Sequence, residues 1–174
     1  MTVSTSSSKV INVVFAGLGG QGVLKASDIL AAAAFRAGLD VKKAEVHGMS
    51  QRGGSVNSDV RFGDRVFSPL IPAGEADILV VLAPDQVENN RGLLRPAGVL
   101  LEPADIPADK LENKRSFNVA MVGLLSRHLE IPDGCWDAAL AANLPAAVLE
   151  TNRKAFQLGR EAFRGAPAGP AANG

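Results

Sequence analysis

The chain has 174 residues, enough for one domain with a self-sufficient core, and its 18 basic and 18 acidic residues cancel. That balance argues against a general nucleic-acid binder or a membrane-surface binder. No apolar run reaches the roughly 18 residues of a membrane span. The single cysteine, Cys135, cannot form an internal disulfide, a thiolate-held cluster or a structural zinc site, which points to a reducing, cytoplasmic home.

Met1 to Ser8 is Ser/Thr-rich and reads as a flexible N-terminus rather than a signal peptide. Val10 to Ala16 is almost wholly apolar, the pattern of a strand covered on both faces. It runs into Gly17-Leu18-Gly19-Gly20-Gln21-Gly22, which contains the Gly-x-Gly-x-x-Gly spacing of a phosphate-cradling turn. The first glycine is expected to allow the turn, the second to let a ligand approach the backbone, and the third to pack helix on strand. Gln21 to Ala37 then predicts a helix with Gly38 as its C-cap, and Asp40 to Val46 a second strand. Together these form a βαβ unit with a right-handed crossover.

His47 to Gly54 is polar and without period, so it is a loop on the ligand-binding side of the sheet. Ser55 to Phe62 alternates as a half-exposed strand, with Arg65 to Phe67 as its expected hairpin partner across Gly63-Asp64. Ser68 to Gly74 is a connection. Ala76 to Leu82 predicts a buried strand and Pro84 to Leu94 a helix. Pro96-Ala97-Gly98 reads as a turn before a short strand, Val99 to Leu101. Pro103 to Lys114 is polar and proline-broken. Asn118 to Leu129 is apolar nearly all round and predicts a buried helix. Helices Cys135 to Leu144 and Ala146 to Phe163 follow, then a Gly/Pro/Ala-rich tail, 164–174, expected to be disordered. The fold class is α/β: a Rossmann-like three-layer domain over 9–163, its sheet mostly parallel, with an antiparallel hairpin and a helical C-terminal part.

Several residues carry candidate chemistry. Arg52, between Gln51 and Gly53-Gly54, has the guanidinium that grips a phosphate through paired hydrogen bonds; a contact to a carboxylate or a partner is the alternative. Lys25 lies one turn into the first helix, either facing a phosphate or on a solvated face. Gln21 either donates to a phosphate or caps its own turn. Glu45 stands about twenty residues after the turn, where a dinucleotide-binding protein keeps its ribose-binding acid, and so leaves an autonomous NAD-binding oxidoreductase open. His47 reads as a loop histidine and His128 as a cation at a helix end. Asn118 reads as the cap of its helix, with a ligand contact as the alternative. Trp136 and Phe156 read as core anchors, and Asp77 and Arg61 as possible internal partners.

Four stretches resemble a known family: Gly17–Gly22; Gly48-Met49-Ser50-Gln51-Arg52-Gly53-Gly54-Ser55-Val56; Val60-Arg61-Phe62-Gly63; and Gly74-Glu75-Ala76-Asp77-Ile78-Leu79. Asn118 with Gly123, and Glu150-Thr151-Asn152 with Ala155-Phe156 and Gly159, extend the likeness. The chain resembles the gamma-type subunit or domain of 2-oxoacid:ferredoxin oxidoreductases. It is most similar to the small subunits acting on indolepyruvate and other aryl 2-oxoacids, such as phenylglyoxylate. The resemblance implies a non-catalytic subunit that helps bind coenzyme A and assemble the complex. Thiamine diphosphate, Mg and iron–sulfur clusters would sit in partner subunits. Ferredoxin, or an NAD-reducing subunit carrying FAD, would accept the electrons. The expected coenzyme A residues are Gly17, Gly19, Gly20, Gln21, Gly22, Lys25, Arg52, Gly53 and Gly54. A purely structural subunit remains a further reading.

Overall fold

The computed structural model describes residues 9–47 and 54–165. Five strands form one open sheet: β1 (Ile11–Leu18), β2 (Asp40–His47), β3 (Ser55–Gly63), β4 (Ala76–Val81) and β5 (Leu94–Leu101), in the order β2-β3-β1-β4-β5. β4 runs parallel to β1 and β5 to β4, while β3 is antiparallel to both β1 and β2. The α/β class is as expected, but the sheet is mixed and not mostly parallel: two of its four strand pairings are parallel and two antiparallel.

The hairpin is made differently from the expectation. β3 pairs with β2 across the whole of Asp40–His47 and with β1 across Ile11–Leu18, and Arg65 to Phe67 forms no strand. The strand expected to be half-exposed is thus central, and Ser58, Asp59 and Val60 are buried in it. Burial pushes the Asp59 carboxyl above its ordinary range, opposed by a hydrogen bond from the Ile71 amide and by the Arg61 guanidinium. The βαβ unit accordingly skips a strand, because β3 lies between β1 and β2.

One face of the sheet carries the main core. Val13, Phe15, Val60, Phe62, Ile78 and Val80 pack there against α1 (Val23–Arg36) and the C-terminal helices. The other face is thinly covered. Val14, Ala16, Leu79 and Val81 meet Val87 of the short helix α2 (Val87–Asn90) and the partly buried Ile71, Leu93 and Leu94. The predicted Pro84 to Leu94 helix is real but broken into 3-10, α and 3-10 turns. Pro96-Ala97-Gly98 lies inside β5 as an irregularity of an edge strand, with Ala97 at φ 61°. Edge strands tolerate proline because no ladder bond is lost.

The C-terminal part comprises α3 (Phe117–Ser126), α4 (Asp133–Asn143) and α5 (Ala146–Glu161). Every residue of α3 from Asn118 to Ser126 is buried. α3 and α5 cross backbone to backbone: a Cβ on Gly159 would overlap the Ala120 carbonyl, and one on Gly123 the Phe156 carbonyl. Trp136 and Phe156 are core anchors, their rings 5.7 Å apart. Cys135 is partly buried.

Two pairing expectations change. Arg61 and Asp77 do not meet directly; Asn12 stands between them. The Asn12 amide donates to Asp77 at 2.8 Å, and Arg61 Nε donates to Asn12 Oδ1 at 2.9 Å. Asp77 pairs with Arg95 at 2.9 Å instead. His128 follows α3, but its ring meets Phe163 edge-on at 4.9 Å. Burial lowers its pKa, against the pull of Asp105, so the neutral imidazole is favoured over the expected cation.

Candidate functional site

β1 and β4 end side by side, tied by the Leu82 amide donating to the Ala16 carbonyl at 2.8 Å. The glycine segment leaves the sheet there, and its glycines divide the work differently from the fingerprint. Gly17 is still inside β1; a Cβ on it would lie 2.8 Å from both Gln21 Oε1 and Val23 Cγ2. It therefore permits close approach of the turn and the start of α1, rather than the turn itself. The turn rests on Gly20 and Gly22, whose φ values of 86° and 79° suit glycine and few other residues. Gln21 closes the loop on itself: its amide donates to the Leu18 carbonyl at 3.2 Å, and its Oε1 accepts from the Leu18 amide at 2.7 Å.

Gly22 is the N-cap of α1, without a side-chain cap, and the helix has no acidic residue in its first turn. Its first N–H groups have no intrahelical acceptor. Together with the helix dipole they make a local anion-favouring field. The antiparallel pairing of β3 with β1 brings Gly54 to the same place, where its carbonyl accepts from the Gly19 amide at 3.0 Å. The two motif loops therefore do converge, as far as Gly54. Arg52, Gly53 and Met49 lie outside the described residues, as does the His47 side chain.

An open pocket of about 710 Å³ faces this turn. Gly20, Gln21 and Gly22 form one side of its lining, with Leu82 from the end of β4. Lys114, Arg115, Phe117 and Asn118 contribute the rest. Lys114 and Arg115 sit on a 3-10 turn leading into α3. That turn is held by Asn113 Oδ1 accepting from the Arg115 amide at 2.9 Å, and by the Ser116 hydroxyl donating to the Asn113 carbonyl at 2.5 Å. The basic pair is exposed, but its backbone is fixed.

Asn118 departs from its expected role. α3 is N-capped at Ser116 with no side-chain cap, and Asn118 Nδ2 instead donates to the Gly22 carbonyl at 3.2 Å. Lys25 is exposed on α1 and does not line the pocket. Glu45 lies on the edge strand β2 and accepts from Lys43 at 3.0 Å, while Lys43 also pairs with Asp28 at 2.6 Å. No sequence motif marks Lys114, Arg115 or Phe117, since Pro103 to Lys114 has the pattern of a polar connection. The available signal was a basic pair placed directly before the most apolar helix.

The sequence profile of the family described as pyruvate ferredoxin/flavodoxin oxidoreductase matches residues 12–162. The chain is 34% identical over 197 aligned positions to the indolepyruvate oxidoreductase subunit IorB of Archaeoglobus fulgidus, covering 90% of this chain and 98% of that subunit. Among solved structures, the fold resembles a 2-oxoglutarate:ferredoxin oxidoreductase from Magnetococcus marinus with 2-oxoglutarate, coenzyme A and succinyl-CoA bound. The TM-score is 0.77 at 22% identity, over 93% of this chain and 34% of that one. It also resembles the gamma subunit of a keto/oxoacid ferredoxin oxidoreductase from Geobacter sulfurreducens, with TM-score 0.71 at 23% identity, over 88% of this chain and 95% of that one. Similarity of this extent, along nearly the whole of both the chain and a curated subunit, makes this protein a member of the pyruvate ferredoxin/flavodoxin oxidoreductase family, of the small-subunit type.

Proposed function

We propose that this chain holds the phosphate-bearing end of coenzyme A within a 2-oxoacid:ferredoxin oxidoreductase complex and leaves the redox chemistry to its partners. The observation that carries the reading is one pocket with two phosphate-compatible walls. The N–H groups at the start of α1 lie behind Gly20 and Gly22, and Lys114 and Arg115 stand on the fixed turn before α3. The residues present fit the group: the turn is open at Gly20, where a Cβ would meet nothing within 4 Å, and two cations supply counter-charge.

Bound coenzyme A supplies the thiol that takes up the acyl group. Gly20 and Gly22 would hold its phosphates through backbone N–H groups, with Gln21 bracing the turn against Leu18, Lys114 and Arg115 by charge, and Arg52 in the same way from the neighbouring loop. Gripping the remote phosphates keeps the thiol at high effective concentration beside the partner's reacting centre. The gain falls on acyl transfer rather than decarboxylation. Thiamine diphosphate, Mg and the clusters would belong to the partner subunits, and ferredoxin, or NAD through a flavin subunit, would take the electrons. Similarity to indolepyruvate oxidoreductase subunits supports an aryl 2-oxoacid as substrate. Among the described residues no helix is long and apolar enough to cross a membrane, and the one thiol, Cys135, suits a reducing cytoplasm.

The NAD reading is weaker on this fold. A ribose-binding acid works from the strand next to the glycine turn, whereas β3 separates β2 from β1. Glu45 is thereby moved one strand farther away, about 5 Å, and it is engaged by Lys43.

The double variant Lys114→Ala with Arg115→Ala tests the proposal in the assembled complex. Its apparent affinity for coenzyme A should fall about tenfold, equivalent to about 1.4 kcal/mol, with the coenzyme-A-independent half-reaction unchanged. Unaltered affinity combined with impaired assembly would favour the purely structural subunit.

A further inference from the structure

The contact between Asn118 and Gly22 joins residues 96 positions apart, and no role in helix capping accounts for it. Asn118 is only 7% exposed, yet it lines the pocket. Its Nδ2 is a second donor to the Gly22 carbonyl, which already accepts the Ala26 amide at 3.0 Å. A Cβ on Gly22 would overlap that same side-chain amide, so glycine and asparagine fit as a pair. Lys114 and Arg115 lie immediately before α3, on the turn that carries the chain into Asn118. One buried side chain therefore fixes the spacing between the pocket's two walls, the start of α1 and the basic pair.

Resting on the coenzyme A reading above, we propose that Asn118 is a positioning residue for anion recognition. By holding the glycine turn against the basic pair, it gives the complex its preference for a nucleotide-bearing thiol over a bare pantetheine thiol. The physical reason is range. Charge-assisted hydrogen bonds from backbone N–H groups to phosphate are short and directional. A turn that drifts by a fraction of an ångström loses them, while a thiol without phosphates never used them. Asn118 need touch neither the thiol nor the reacting carbon.

Asn118→Leu tests this with little change of volume, because the side chain stays neutral and close in size but loses the donor. Steady-state kinetics of the purified complex are measured with coenzyme A and with pantetheine as acceptor thiols. The expected result is a KM for coenzyme A raised about tenfold, with kcat and all pantetheine parameters unchanged. Asn118→Ser, which retains a donor in a smaller side chain, should fall between the two. Equal losses with both thiols, or failure of both variants to assemble, would mean a structural role only and would overturn the proposal. A wild-type complex that does not distinguish coenzyme A from pantetheine would instead overturn the coenzyme A reading on which it rests.

Discussion

Gly123→Ala should cost the folded chain about 3 kcal/mol or more, a large effect for one methyl group. At the α3–α5 crossing, a Cβ on Gly123 would overlap the Phe156 carbonyl oxygen and lie 2.8 Å from the carbonyl carbon and 3.0 Å from Cα. All three neighbours are backbone, so no rotamer change relieves the contact. Parting the helices would uncover Ala155 and Phe156, now 3% and 7% exposed, and loosen the Trp136–Phe156 contact. Alanine's better helix propensity returns only about 1 kcal/mol. Urea unfolding followed by fluorescence of Trp136, the chain's one tryptophan, should report the loss. The melting temperature should fall by about 6–12 °C, at about 2–4 °C per kcal/mol for a domain of this size. A loss below about 1 kcal/mol would show that the crossing yields more easily than its geometry implies.

Gly22→Val should remove most coenzyme A capture, lowering apparent affinity by about a hundredfold, the scale of loss expected when binding groups are misplaced by about 1 Å. Two effects combine. Gly22 holds φ 79°, which a β-branched residue avoids, and any Cβ there overlaps the Asn118 amide. Relief requires the turn or α3 to move, and both are walls of the pocket. Gly20→Ala is the informative contrast. It shares the positive φ, but its Cβ meets nothing within 4 Å, so it should cost local strain of about 1–2 kcal/mol and only part of the affinity. Titration of coenzyme A into the two variant complexes separates them. Equal effects would mean that strain alone, and not the Asn118 contact, governs the turn.

The two variants also show what was readable beforehand. The glycine run announced a strand, a turn and a helix, and these appear as β1, Gly20–Gly22 and α1. The spacing could not say which glycine does what: Gly17 is constrained by Gln21 and Val23 and by the distant Leu82, and Gly22 by the distant Asn118. The apolar run from Asn118 revealed a buried helix, since a helix apolar all round has no solvent face. Asn118's partner is a long-range contact, which local capping chemistry does not encode. The position of β3 was hidden for a similar reason. Alternation in Ser55 to Phe62 suggested one exposed face, but Asp59 on that face is buried, and the backbone is paired on both sides. Lys114 and Arg115 lay in plain view, and only the fold places them opposite the glycine turn.

Hydrogen–deuterium exchange of the assembled complex, with and without coenzyme A, tests the central claim most directly. Coenzyme A should slow exchange in residues 19–25 and 113–118, the two walls of the pocket. Saturating coenzyme A that leaves both segments unchanged would contradict the assignment of this pocket to it.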